Sequence, residues 1–415
     1  MPTSPGGVGE RISHEAPGAT ALADRSLAPD LARGVMLLLI ALANSHIYLF
    51  GHDIGVRGYP SDGSAADRAV TLVQMTLVDG RAYPMFAALF GYGIVQILRR
   101  QATAGRDVVA ARKLVRRRGW WMVLFGFGHA LLLFSGDIIG AYGLLAVLLA
   151  GVIIRAGDRT LLVTAALLLI PTLLFGALQG LPVSEGAQAV LPSMTTTDPL
   201  AAAAYRVVEW LVIGISQAFL ALIPPLLMGA WAARRRLLDD PERHRGFLAR
   251  VAVLGLTLAA IGGLPMALQA AQLWQDYSIP VGMVAGALHA ITGYAGGVGF
   301  AALAGVVAVR LGERRDLGDR RGLGDRRRPV VTALAACGQR SMTCYLAQSV
   351  VFVAVLAAYG GGLGDQLSVA TTAILAVATW VATVLLAELL RCGGYRGPFE
   401  VLLRRLTYRR PATLS

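Results

Sequence analysis

Apolar residues in this chain run in long blocks separated by short polar stretches, without the one-sided spacing of a soluble helix or the alternation of a half-buried strand. Crossing the hydrocarbon core of a bilayer takes about 20 predominantly apolar residues in a helix. Ten blocks read as such spans, at about 31–50, 82–98, 119–135, 138–154, 160–180, 206–232, 249–272, 282–309, 333–357 and 367–390. Residues 69–79 read as a short interfacial helix ahead of the second span, and Pro171 as a kink in the fifth. The expected fold is all-α: a polytopic integral membrane protein of about ten transmembrane helices, forming a single domain over residues 31–392. Residues 1–30, rich in Gly, Pro, Ser and Ala, lack the apolar core of a signal peptide and read as a disordered tail. Residues 393–415 contain GPFEVLLRRLTYRR, an amphipathic segment expected to lie on the membrane surface.

Charge orients these spans. The turns after the second, fourth, sixth and eighth blocks are rich in arginine, as are both tails. The turns after the third, fifth, seventh and ninth hold no Arg or Lys, and the first outer loop holds only Arg57 and Arg68. By the positive-inside rule both termini are cytoplasmic, and the Pro-, Ser- and Thr-containing loop 181–204 faces outward. The net charge of +13 therefore reports topology in a bacterial plasma membrane and not nucleic-acid binding. A hydrophobic content of 55% with 15% charged residues excludes an ordinary soluble domain. The repeat DLGDRRGLGDRR in the basic loop 310–328 reads as a low-complexity linker. Cys337, Cys344 and Cys392 form no CxxC pair, so neither a disulfide framework nor a metal site is expected, and no cofactor is implied.

Against this background the intramembrane ionisable residues stand out, because each is costly to hold in lipid. The hairpin RRRGWWMVLFGFGHALLLFSGDIIGAYGLL carries His129 and Asp137, a histidine and carboxylate able to act as an oriented general base. Asp137 also suits the N-terminus of the following helix. His46 and Asn44 fall near the outer end of the first span, and His289 roughly 10 Å into the eighth. Asp79 and Arg81 read as a local ion pair at a helix turn. Asp30 and Arg33 lie at the cytoplasmic edge, three residues apart on one face. Arg340, inside the ninth span, calls for a carboxylate or a bound anion, with Tyr345 and Gln348 on the same helix. No GxGxxG, Walker loop, HExxH or GxSxG motif is present.

The stretches FAALFGYGIVQILRR, the hairpin above, ACGQRSMTCYLAQSVVF and GPFEVLLRRLTY come in an order that resembles the YeiB-like bacterial membrane proteins, the domain-of-unknown-function 418 family. The resemblance covers about residues 25–410 and implies a multi-pass architecture. More distantly, DLARGVMLLLIALANSH is similar to the first span of membrane acyltransferases of the acyltransferase-3 and heparan glucosaminide acetyltransferase kind. That similarity implies acyl transfer to sugars at the membrane. Its pattern places a histidine where this chain has Asn44, with His46 two residues later, about 200° around the helix, which shifts the base toward His129.

The expected function is transfer of an acyl group to an envelope glycan or lipid. The donor would enter from the cytoplasmic side near Arg33 and the basic loops, and the acceptor would sit in one outer-half cavity bearing His46, His129 and Asp137. Asn44, Asp79, Arg81, Arg340, Tyr345 and Gln348 would contribute substrate contacts. Two other classes fit the composition. A small-molecule or lipid transporter would show a cavity continuing along Arg340 and Gln217, and a non-enzymatic membrane partner would use the loop 181–204.

Overall fold

Helices dominate the computed structural model, which describes residues 27–181, 186–187, 189–320 and 328–408, with no side-chain description at Gln217, 312–320 and 328. The tail before Leu27, most of the loop repeat and the end beyond Tyr408 lie outside the described residues, as does the Gln217 side chain. The chain opens with α1 (Leu27–Ser45), extended by one tight turn at His46–Tyr48. A looped segment leads to α2 (Ala65–Leu77), α3 (Ala82–Thr103) and α4 (Val108–Leu132). After a turn come α5 (Ile139–Arg155), α6 (Asp158–Leu167) and α7 (Leu169–Gln179). The single turn α8 (Pro192–Thr195) precedes an interrupted rod of α9 (Pro199–Glu209), α10 (Ile215–Gln217) and α11 (Ile223–Arg234). The chain closes with α12 (Arg245–Ala270), α13 (Ile279–Arg320), α14 (Arg328–Gln339), α15 (Ser341–Leu356), α16 (Val369–Cys392) and α17 (Pro398–Tyr408).

Among the described residues, six helices are long and apolar enough to cross a membrane: Leu27–Tyr48, Asp158–Gln179, Pro199–Arg234, Arg245–Ala270, Ile279–Leu311 and Val369–Cys392. Large apolar side chains such as Ile261, Leu254 and Leu389 point outward from these helices, as lipid contact requires. The protein is an all-α polytopic membrane protein. The other apolar blocks fall on α3, α4, α5 and the α14–α15 pair. The stretch expected to be a basic loop between Arg99 and Arg118 is mostly helical. α3 continues to Thr103 and α4 starts at Val108, where the Asp107 carboxylate caps it by accepting from Ala110 N at 2.6 Å.

Proline and arginine explain the interruptions. Pro171 lacks an N–H and its ring crowds the Leu167 carbonyl, so the α6–α7 rod breaks at Leu168. Pro224-Pro225 sits at the start of α11, and the chain upstream widens into π-type turns at Trp210–Gly214 and Ala218–Leu222. The ninth apolar block breaks at Arg340, whose φ of −113° and ψ of 28° leave the helical region between α14 and α15.

Glycines set the tightest contacts. A Cβ at Gly34 would overlap the Leu334 carbonyl, and one at Gly338 the Asp30 carbonyl, so α1 and α14 touch backbone to backbone. Lipid offers no hydrophobic drive for helix association, and such close approach maximises van der Waals contact. The buried core runs from Met36, Leu37 and Ile40 of α1 through Leu89 and Tyr92 of α3 to Leu145 of α5 and Leu226 of α11.

Candidate functional site

The α4–α5 hairpin builds the first polar group. His129 lies in the last turn of α4, and Asp137 in the connecting turn. Asp137 has two jobs. Its carboxylate caps α5, accepting from Gly140 N at 2.6 Å and Ile139 N at 3.1 Å, and it sits 2.9 Å from His129 Nδ1. A carboxylate accepts, so Nδ1 carries the proton and Nε2 is left as the acceptor. Nε2 faces Ser349 Oγ of α15 at 2.9 Å. Asp137, His129 and Ser349 are all buried, at 1%, 3% and 4% exposure, so the chain of bonds is shielded from solvent. The hairpin can close this tightly because Gly126 has no side chain, and a Cβ there would overlap Asp137 Oδ2. The Tyr345 ring lies against the imidazole, with centroids 5.0 Å apart.

Beside this group lies a cavity of about 1,210 Å³. It is lined by α1, by α3 from Phe86 onward, by the middle of α4, the first turns of α5, the α14–α15 break and α17. Eight arginines line it against three acidic residues, Asp30, Asp239 and Glu400. Phe86, Phe90, Met122 and Tyr142 make the deeper wall apolar, and Ile138 and Tyr345 belong to it too. Those two residues are the neighbours of Asp137 and His129, so the hydrogen-bonded group lies directly behind the cavity wall. The Tyr345 hydroxyl is buried beside the Ile138 backbone.

Arg33 and Arg340 line the same cavity. Arg33 pairs with Asp30 at 3.1 Å. The Arg340 guanidinium, expected to meet a carboxylate or a bound anion, donates to main-chain carbonyls, Tyr395 O at 2.6 Å and Ala336 O at 3.1 Å. Glu400 of α17 instead fills the start of α15, accepting from Met342 N, Thr343 N and Thr343 Oγ1.

A second polar group stands at the opposite end of α3. Arg57, in a left-handed turn at φ 62°, pairs with the Asp79 carboxylate at 3.1 Å. Arg81 does not close an ion pair with that carboxylate. Its fully buried guanidinium donates to the Asp79 carbonyl and to Ala259 O at 2.7 Å, and lies 3.0 Å from the His289 ring nitrogens. His46 stacks on Tyr59, ring centroids 3.8 Å apart, and its Nε2 is 3.3 Å from Arg57 O.

The structure thus separates residues that were expected to share one cavity. His129 and Asp137 come together, and His46 joins the Arg57 group. Tyr48, Phe134 and Phe352 pack against one another where the end of α1 meets the hairpin, filling the space a common cavity would need. None of His46, His129 and Asp137 lines the arginine-rich cavity itself. Asn44 is partly exposed and belongs to neither group. Gln348 turns to Thr383 Oγ1 at 3.4 Å. Sequence reasoning passed over Ser349, Arg57 and Glu400. Ser349 was findable, since it follows Tyr345 by one helical turn and shares its face.

These features define a class: a helical membrane protein with an arginine-lined cavity backed by a buried histidine–carboxylate pair. Comparison with known proteins carries this further. Residues 232–410 match the family model described as "Protein of unknown function (DUF418)". The chain is 27% identical to "Uncharacterized protein YxaH" of Bacillus subtilis (strain 168), over 91% of this chain and 93% of that protein. The C-terminal part of the chain is thus similar to the DUF418 family, and the chain over most of its length to that relative. No solved structure matches the chain. The matched region holds Arg340, Tyr345, Ser349 and Glu400, and the α4–α5 hairpin precedes it.

Proposed function

We propose that the protein is a membrane-embedded acyltransferase of the bacterial plasma membrane, with ten spans and both termini in the cytoplasm. An acyl donor bearing phosphate groups occupies the arginine-lined cavity, and the acceptor is a hydroxyl of an envelope glycan or lipid. One observation carries this reading: the cavity's inner wall at Ile138 and Tyr345 is the back of the Asp137–His129 pair. Arginine suits phosphate because its planar fork donates two parallel hydrogen bonds. The apolar wall suits an acyl chain. His129, held in one tautomer by Asp137, takes the proton of the hydroxyl that attacks the donor carbonyl. The bond to the donor's thiol or alcohol breaks, and that leaving group receives the proton.

The test is His129→Ala and Asp137→Asn in cells lacking the native copy, with envelope glycan and lipid acylation read by mass spectrometry. Acylation falls to the level of the deletion in both. Unchanged acylation in both variants, at normal protein levels, refutes the reading. The helix break at Arg340 in the cavity wall favours a second reading, movement of an anionic amphiphile through the bilayer. Under it, Arg33→Ala and Arg340→Ala abolish function while His129→Ala does not.

A further inference from the structure

We infer that Ser349 is a nucleophile that carries the acyl group as a covalent ester between donor and acceptor. The inference rests on the acyl-transfer reading above and deepens it. Three groups stand in a line: the Asp137 carboxylate 2.9 Å from His129 Nδ1, and His129 Nε2 2.9 Å from Ser349 Oγ. A serine hydroxyl becomes nucleophilic when an imidazole takes its proton and a carboxylate fixes the tautomer and steadies the imidazolium. Asp137 is itself immobilised by Ile139 N and Gly140 N, so the imidazole is held from behind by a rigid group.

Position supports the same role. Tyr345 and Ser349 are one turn apart on one face of α15, about 6 Å along the axis. Tyr345 lines the cavity and Ser349 lies just beyond it. The Tyr345 hydroxyl, beside the Ile138 backbone, stands at this boundary. A backbone N–H donating to the phenol oxygen leaves its O–H able to donate to a donor carbonyl at the cavity end. Tyr345 is then both the barrier that keeps Ser349 dry and the hydrogen-bond donor to the oxyanion. A covalent stage also frees the two substrates from sharing one site, since the spent donor leaves the arginine-lined cavity before the acceptor attacks.

The steps balance. Ser349 Oγ attacks the donor's acyl carbonyl as His129 Nε2 takes the hydroxyl proton. The bond to the donor's thiol or alcohol breaks, and the imidazolium returns the proton to that leaving group. The acceptor hydroxyl then attacks the acyl-serine carbonyl, gives its proton to His129, and Ser349 leaves with that proton. No oxidant, reductant or further reactant enters.

The experiment uses the full chain in lipid nanodiscs with a dodecyl fluorophosphonate, which phosphonylates activated serines, read by intact and peptide mass. Wild type is labelled at Ser349. Labelling falls by at least about tenfold in His129→Ala and vanishes in Ser349→Ala. Ser349→Cys, which preserves the site's shape, retains a trapped acyl thioester on Cys in cells. In the cellular assay Ser349→Ala loses acylation to the same degree as His129→Ala. If His129→Ala abolishes acylation while Ser349→Ala stays within about twofold of wild type, transfer is direct and the serine role is overturned. A wild-type protein active in cells yet unlabelled at Ser349 overturns it too. If neither variant changes acylation, the acyl-transfer reading itself fails.

Discussion

Glu400→Ala tests how the cavity is closed at the α17 end. The Glu400 carboxylate reaches across from α17 to the start of α15, accepting from Met342 N at 2.8 Å, Thr343 N at 3.1 Å and Thr343 Oγ1 at 2.5 Å. The first N–H groups of a helix have no partner within the helix, and the helix dipole favours a negative charge there. Hydrogen bonds to charged groups contribute about 1.5–3 kcal/mol when the abandoned partner stays buried. Glu400 is only half-buried, so water replaces part of this after truncation. Taking about 1 kcal/mol for each main-chain bond and up to about 1 kcal/mol for the dipole gives about 2–3 kcal/mol. That shifts the docking equilibrium of α17 by roughly 30–150-fold. Hydrogen exchange followed by mass spectrometry in nanodiscs reads it directly, since protection reports the local opening equilibrium. Peptides covering α17 lose protection by that factor in Glu400→Ala. They lose about fivefold in Glu400→Gln, which keeps an acceptor but not the charge. Unchanged protection of α17 in Glu400→Ala would refute the reasoning, because Leu403 and Thr407 alone would then hold the helix.

Two further outcomes are expected. Burial works to raise the Asp67 pKa, but hydrogen bonds from Ser368, Ser64 and the Ala370 N–H bring it down to about 2, tying α2 to the start of α16. A depressed carboxylate stabilises above its unfolded value of about 3.9 and loses that contribution as pH falls through about 2. Asp67→Asn should therefore melt below the parent at pH 7, with the gap closing between pH 4 and 2, and a gap constant across that range would count against the assignment. In the hairpin, Gly126→Ala should disrupt the His129–Asp137 geometry, because the new Cβ overlaps Asp137 Oδ2, whereas Gly128→Ala has open space and should be neutral. Acylation and melting temperature measured on both variants separate the two positions, and equal effects would argue against hairpin closure as the reason for glycine.

The membrane architecture was legible because lipid imposes a one-dimensional rule. Every main-chain polar group must be satisfied within its own helix, so spans appear as apolar blocks. The partners of the polar residues obey no such rule. His129 and Asp137 are eight residues apart and could be paired by eye, whereas His129 and Ser349 are separated by 220 positions, and hydropathy carries no pairing information across that distance. Arg57 reads as an ordinary loop arginine in the sequence, and only the left-handed turn at φ 62° shows it paired with Asp79. Arg340 differs again. A charge in an apolar block called for a carboxylate or a bound anion, but the block breaks there, and the guanidinium donates to the carbonyls of Ala336 and Tyr395.

The two polar groups differ in what surrounds them. Arg81 is enclosed. A Cβ at Gly263 would overlap its Nη2, a Cβ at Gly296 would press on its Cγ, and its guanidinium is spent on Ala259 O, the Asp79 carbonyl and His289. With Asp79 already paired to Arg57, the network largely closes on itself and fixes the start of α3 against α12 and α13. Breaking it would leave a buried charge uncompensated, which is a stability cost. The hairpin group is tightly bonded too, but it ends in a neutral hydroxyl and abuts a large cavity whose wall includes its own neighbours. Under the proposed acyl transfer, a histidine held by a carboxylate on one side and a serine on the other, with space for a ligand one side chain away, is the part of the molecule that would move the proton.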